Sequence, residues 1–324
     1  MTTIGTDIAH AIRELAADRL VGLPTETVYG LAGHGLHPAA IEAIYAAKQR
    51  PRHNPLILHI GSLADLETYA QGIPDMAFAL AERFWPGPLT LLLPRSKVIP
   101  DQLTAGLPDV AIRIPNHPMA LELLARAGFP VAAPSANPFG YISPTTPQHV
   151  MEQLSGRISY ILDGGPCQQG IESTIVGFEG GNPVILRHGA IPAEDIRAVA
   201  GEVGLRAKAT HAPLAPGMLP AHYAPRTPLL LVDDLAAALA QHSGKRIGIL
   251  AFQAPLAGIP AALQVVLSPD GDLRVAARHL YAALHRMDAM ALELILAERV
   301  PATGLGAAIN DRLTRAAYDT QNKL

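Results

Sequence analysis

Along the first two-thirds of the chain, short apolar runs alternate with stretches where apolar residues return every three or four positions. The runs predict strands at 19–24, 55–60, 89–93, 110–114, 130–133, 160–162, 174–178 and 184–187. The three- and four-residue period predicts helices over 4–17, 39–49, 62–69, 75–84, 118–127, 147–154 and 193–200. Strands mixed with helices and punctuated by Pro and Gly indicate an α/β fold with a large twisted sheet, not a bundle or a sandwich. From 208 to 228 the period vanishes, and prolines at 213, 216, 220 and 225 read as a semi-rigid linker. Beyond it, apolar runs at 229–232, 246–252 and 263–267 predict three strands, with helices over 273–298 and 307–317, a small parallel layer. The expected organisation is therefore a larger domain over 1–207, the linker over 208–228 and a smaller domain over 229–324.

Composition narrows the class. The 324 residues suffice for two domains, and 49% hydrophobic with 16% charged content describes well-packed globular units. No run is long and apolar enough to span a bilayer. The first twenty residues carry Asp7, Glu14 and Asp18 among apolar positions, so they read as an amphipathic helix and not a signal peptide. A single cysteine, Cys167, excludes an internal disulfide and a thiolate zinc cluster, and the expected compartment is the cytoplasm. Residues 1–210 hold 15 Lys and Arg against 19 Asp and Glu (net −4), and residues 211–324 hold 10 against 9 (net +1). Neither part has the basic footprint of a protein built to grip nucleic acid, so a small anionic ligand is the better fit.

Candidate chemistry sits at element ends. Lys48-Gln-Arg50-Pro-Arg52-His-Asn54-Pro packs three cations into five residues where a helix stops. Lys48 shares a face with Ile41, Ile44 and Tyr45. The corner is either a solvated helix end or a cradle for phosphate or carboxylate. Pro24-Thr-Glu-Thr27-Val-Tyr-Gly30 mixes hydroxyls, a carboxylate and a phenol after a strand. In the 110–114 strand Arg113 shares a face with Ala111 and needs a partner, either a structural salt bridge or a bound carboxylate. Ala133-Pro-Ser135-Ala-Asn137 and Ser143-Pro-Thr-Thr are polar strand-end turns or a ligand cradle. Glu172-Ser173-Thr-Ile and Arg187-His-Gly complete the polar set. No Gly-x-Ser-x-Gly elbow or dinucleotide glycine fingerprint is present, and the thirteen histidines lack metal-ligand spacing, so no protein-held metal is expected.

Taken in order, Pro24-Thr-Glu-Thr-Val-Tyr-Gly-Leu, Lys48-x-Arg50, Asn54-Pro-Leu-Ile, Phe84-Trp-Pro-Gly-Pro-Leu-Thr, Val110-Ala-Ile-Arg-Ile-Pro, Ala133-Pro-Ser-Ala-Asn and Glu172-Ser-Thr-Ile resemble the YrdC-like family. Pro216-Gly-Met, His222-Tyr-Ala-Pro, Gly304-Leu-Gly and Arg312-Leu-Thr-Arg-Ala-Ala resemble its long two-domain form. The resemblance implies a catalytic domain with a concave cleft, a Rossmann-like second domain, and a linker crossing the cleft. It also implies synthesis of L-threonylcarbamoyladenylate from L-threonine, bicarbonate and ATP, for transfer to tRNA. Mg2+ is expected with ATP, with no tightly bound cofactor. Downstream partners would be the threonylcarbamoyl-transferase machinery and tRNA, and no membrane. The resemblance gives Lys48, Arg50, Ser135 and Asn137 as the signature catalytic set. It implies a threonine pocket of Thr27, His59, Arg113, Ala133 and Ser173. Lys48, Arg50, Asn54, Ser135, Ser143, Arg187 and the linker's Tyr223 would hold the nucleotide. The linker departs from the family at Leu219-Pro-Ala221, where basic residues are usual. Two alternatives are an RNA-binding module on the same fold and carbamoyl transfer to another acceptor; the negative N-terminal part and the single cysteine speak against them.

Overall fold

The computed structural model describes residues 1–206, 215–242 and 244–321, so the first part of the expected linker, 208–214, lies outside the described residues. Among the described residues, eleven strands form one mixed sheet. In chain order they are β1 (Thr3–Gly5), β2 (Val21–Leu23), β3 (Gly30–His34), β4 (Ile57–His59), β5 (Leu89–Pro94), β6 (Asp109–Arg113), β7 (Val131–Ala132), β8 (Tyr160–Leu162), β9 (Thr174–Glu179), β10 (Asn182–Arg187) and β11 (Gly204–Leu205). Their spatial order is β1-β8-β2-β3-β7-β4-β6-β5-β9-β10-β11.

Alternation along the central strands sorts side chains between two faces. Leu58, Leu91, Leu93, Val110 and Ile112 join the main core. Ile57, Leu92, Ala111, Ile175, Val184 and Leu186 form a second apolar layer on the other face, covered by the linker's Ala215 and Met218. Because β4 and β6 run parallel with His59 opposite Arg113, both polar side chains continue the linker-covered face.

Helices Asp75–Phe84, Pro118–Ala127, Pro147–Leu154 and Ala193–Ala200 coincide with the hydrophobic period. Pro118 opens its helix at the first turn, and Gly128 closes it in the left-handed region at φ +73°. The N-terminus departs from expectation. Asp7 caps a helix over Ile8–Ala16 by accepting from the His10 N–H at 3.0 Å, and the residues before it pair in parallel with β8 instead of extending the helix.

The second sheet is four-stranded and parallel, in the order β12 (Leu229–Val232), β15 (Leu294–Glu298), β13 (Ile247–Ala251), β14 (Gln264–Val266). The expected helix over 273–298 is thus corrected: it ends at Asp288, and its last part is the strand β15. A short unbroken apolar run such as Leu-Ile-Leu-Ala has no period of its own, so it extends a preceding helical pattern as readily as it forms a buried strand. The break falls at Ala289–Leu292, where Ala291 sits at φ +53°. Helices Leu235–Gln241 and Gly306–Gln321 complete this unit, and among the described residues no helix is long and apolar enough to cross a membrane.

Candidate active site

A cavity of about 50 Å³ lies on the linker-covered face of the large sheet. That is room for three to five waters, at about 10–15 Å³ each. Thr27, His59, Arg113, Ala133 and Ser173 line it together with Arg50, Ser135, Glu172 and Arg187. Pro216, Gly217, His222 and Tyr223 close it from the linker.

Arg113 is held from three sides. Its Nη1 donates to Thr27 Oγ1 at 2.9 Å, its Nε to the Gly87 carbonyl at 3.3 Å, and Nη2 stands 2.7 Å from Glu26 Oε1. The Glu26 contact is an ion pair whose angle lies outside hydrogen-bond geometry, since neither Glu26 oxygen accepts a hydrogen bond. Three of the guanidinium's five N–H groups, one on Nη1 and both on Nη2, therefore make no hydrogen bond within the protein. His59 beside it is buried, and burial first, then the Arg113 charge, lowers it to about 3, so its imidazole is neutral. Its Nδ1 has no partner. Ser173 Oγ shares a hydrogen bond with Thr90 Oγ1 at 2.7 Å and accepts from Arg187 Nη2 at 3.0 Å.

The cation corner is buried, which corrects the solvated helix end. Lys48 is 1% exposed, and its Nζ donates to the carbonyls of Ser135 at 2.5 Å and Asn137 at 2.6 Å. Burial, with the Arg50 charge nearby, pushes the ammonium well below its ordinary range. Arg50 donates to Asn54 O at 3.0 Å, Asn54 Oδ1 at 2.6 Å and Pro55 O at 2.8 Å, and burial brings it down to about 10. Arg52 points out to Glu42 at 2.6 Å and takes no part in the cavity.

Behind the cavity wall lies a buried network joining the two sheet units. Glu172 accepts from Ser143 Oγ at 2.7 Å and from Tyr281 Oη at 3.0 Å, and pairs with Arg312 Nε at 2.8 Å. Tyr223 is 1% exposed, adopts φ +65°, and lies under the Arg312 guanidinium at 5.0 Å. Gly217, at φ +82°, lets the linker pass closely: a Cβ there would meet Tyr223 Oη at 2.7 Å and Arg187 Cδ at 2.8 Å.

Of the expected residues, Thr27, His59, Arg113, Ala133, Ser173, Arg50, Ser135, Arg187 and Tyr223 meet around one cavity. Lys48, Asn54, Asn137 and Ser143 stand outside its wall. Lys48 and Asn137 brace the Ser135 turn, the latter by donating to the Pro138 and Tyr141 carbonyls at 2.8 and 2.9 Å. Asn54 braces Arg50, and Ser143 braces Glu172. Sequence reasoning passed over Glu26 as a site residue, although it sits between the two threonines of its motif. It also gave no role to Glu172, His222 or Arg312, whose partners are up to 140 residues away. Among the described residues no three His, Cys, Asp or Glu converge as a metal site. The carboxylate on the cavity wall, Glu172, is already engaged by Arg312, Tyr281 and Ser143. The donor set thus does not fit a metal held by the protein itself.

The Sua5, YciO and YrdC family model, described as telomere recombination, matches residues 13–189, and the threonylcarbamoyl-AMP synthase C-terminal domain model matches residues 191–318. The chain is 41% identical over 313 residues to a threonylcarbamoyl-AMP synthase of Pyrococcus abyssi, covering 92% of this chain and 90% of the relative. It is 40% identical over 328 residues to the Bacillus subtilis enzyme of the same name, covering 98% and 94%. The crystal structure of P. abyssi Sua5 complexed with L-threonine matches with a TM-score of 0.90 at 38% identity, covering 98% of this chain and 97% of that one.

Proposed function

This chain belongs to the threonylcarbamoyl-AMP synthase family in its long two-domain form, and we propose that it joins L-threonine, bicarbonate and ATP into threonylcarbamoyl-AMP and pyrophosphate in the linker-covered cavity. The observation that carries this reading is the convergence of Arg113, His59, Thr27 and Ser173 with Arg50, Ser135, Arg187 and Tyr223 on one cavity.

Arg113 turns N–H groups that make no hydrogen bond within the protein to the threonine carboxylate, a match guanidinium geometry favours. The neutral His59 imidazole offers an acceptor to the ammonium or side-chain hydroxyl, and Thr27, Ser173 and the Ala133 backbone complete the pocket. Arg50 and Arg187 face the phosphates together with Ser135, while Lys48 and Asn137 act on the nucleotide by holding the Ser135 turn. Asn54 acts in the same way through Arg50, and Ser143 through Glu172. The threonine amine, once deprotonated, attacks the bicarbonate carbon to give a carbamate with loss of water. A carbamate oxygen then attacks the α-phosphorus, and pyrophosphate leaves. No nucleophilic side chain is needed; the protein orients the reactants and neutralises charge. Mg2+ arrives with ATP as part of the substrate.

Pro216, Gly217, His222 and Tyr223 make the linker part of this cavity's wall, so its closed position would complete the nucleotide site and its movement would admit the nucleotide. Tyr223 closing again would shield a mixed carbamate–phosphate anhydride from water. The product would pass to the threonylcarbamoyl-transferase machinery and tRNA, in the cytoplasm. The test is pyrophosphate release from ATP with bicarbonate and each amino acid in turn. Release with L-threonine far above serine supports the reading, and release independent of threonine overturns it.

A further inference from the structure

The final helix, Gly306–Gln321, meets the linker at three successive points. Arg315 Nη1 donates to the Leu219 carbonyl, the His222 N–H donates to the Arg315 carbonyl at 3.3 Å, and Arg312 lies over the Tyr223 ring. Arg312 itself is a buried cation with no solvent contact on its side chain. Its Nε pairs with Glu172 at 2.8 Å, Nη1 with Asp311 at 2.8 Å, and Nη2 donates to the His188 carbonyl at 2.8 Å. Every edge of the guanidinium is thereby fixed, and its flat face is what remains for Tyr223. The two neighbours it grips in the first unit, Glu172 just before β9 and His188 just after β10, directly adjoin Ser173 and Arg187 on the cavity wall.

Neutralising Glu172 would need only a charge. The stack on Tyr223 is an additional contact, and it falls on a residue whose φ of +65° a non-glycine side chain adopts only when its surroundings hold it there. At the linker's far end the Ala224 N–H donates to the Gly140 carbonyl at 2.8 Å, so the segment is tied between the second unit and the first.

We propose that Arg312 is a positioning residue by which the second domain latches the linker shut over the cavity, acting on ATP through Tyr223. The proposal rests on the synthase reading for its substrate, while the latch itself is a property of the unliganded fold. A cation over an aromatic face is worth from a few-fold when exposed to about thirtyfold when desolvated, so about a tenfold change in the closing equilibrium is expected when a lysine replaces the guanidinium. Latching therefore sets how much of the protein is closed before ATP binds, and how well the closed complex keeps water out.

The test is a double-mutant cycle of Arg312→Lys, Tyr223→Leu and the two combined, read by hydrogen exchange of the unliganded protein and by KM for ATP and for threonine. Arg312→Lys keeps a charge beside Glu172 but loses the flat fork. Expected in each single variant is about tenfold faster exchange over 219–224, with 57–59 and 109–113 unchanged. KM for ATP rises by about tenfold, KM for threonine by less than about threefold, and the double variant is no worse than the more affected single one. Multiplying effects in the double variant, equal losses for both substrates, or wild-type linker exchange in Arg312→Lys would overturn the latch. If Arg312→Lys does not fold, Arg312→Met with Glu172→Gln removes both charges and carries the same exchange comparison. A wild-type protein without threonine-dependent turnover would instead overturn the synthase reading, and exchange alone would then decide the latch.

Discussion

Glu172→Gln removes the acid at the centre of the interdomain network while keeping its shape. Burial alone would raise this carboxyl, but the Arg312 and Arg187 charges and the Ser143 hydrogen bond outweigh it and hold it at about 2, against an ordinary 4.5. At about 1.4 kcal/mol per pH unit, the gap corresponds to about 3 kcal/mol of folding stability at pH 7. Breaking a buried pair by removing one partner gives a similar figure, about 3–5 kcal/mol. Asp311 remains 2.8 Å from Arg312 in the variant and favours the lower end. Because the folded-state carboxyl is depressed, this contribution is present above pH 4.5 and fades as the pH falls toward 2. Scanning calorimetry should show the variant melting about 4–7 °C below the wild type at pH 7. At pH 3 the gap should shrink to under half. A difference below about 2 °C at pH 7, or an equal difference at both pH values, would refute the assignment of stability to this ion pair.

Arg113→Ala should raise the KM for threonine by about 10- to 100-fold, the scale of a charge-assisted pair, with KM for ATP little changed; steady-state kinetics with each substrate varied would show it. Lys48→Met should leave the Ser135 and Asn137 carbonyls without a donor and cost about 2–4 kcal/mol in urea unfolding, so a variant as stable as wild type would contradict the bracing role. The rings of His149 and His285 meet between the two units with centroids 4.1 Å apart and planes tilted by 30°, and burial, with mutual repulsion at His285, lowers both to about 4. Between pH 6.5 and 4 only the unfolded chain protonates them, so stability should fall as the pH drops through that window. His285→Phe should remove about 1.4 kcal/mol per pH unit from the slope.

Much of the architecture is legible in local pattern. Pro118, the period of 118–127 and Gly128 mark both ends of one helix, and the hydrophobic face shared by Lys48 with Ile41, Ile44 and Tyr45 already places that lysine inward. What pattern omits is partners distant in sequence. The acceptors of Lys48 lie 87 and 89 residues away, so a cluster of cations reads as equally suited to solvent or to phosphate until the Ser135 turn is brought over it. Strand β3, Gly-Leu-Ala-Gly-His, has no β-branched residue and escapes notice because its strand character comes from pairing with β2 and β7. Arg113 poses a choice between a salt bridge and a bound carboxylate, and geometry leaves room for both: Glu26 takes one edge of the guanidinium and the cavity receives another. Arg312 lies 140 residues from Glu172, and only the packing of the two units makes it part of the cavity's support.

The most direct test of the synthase activity is whether threonine, bicarbonate and ATP are joined in one product. Purified protein incubated with ATP, Mg2+, L-threonine and 13C-bicarbonate, then analysed by mass spectrometry, should yield threonylcarbamoyl-AMP carrying one 13C at the carbamoyl carbon, in step with pyrophosphate release and lost in Arg113→Ala. Pyrophosphate release without a labelled, threonine-containing adenylate would contradict it.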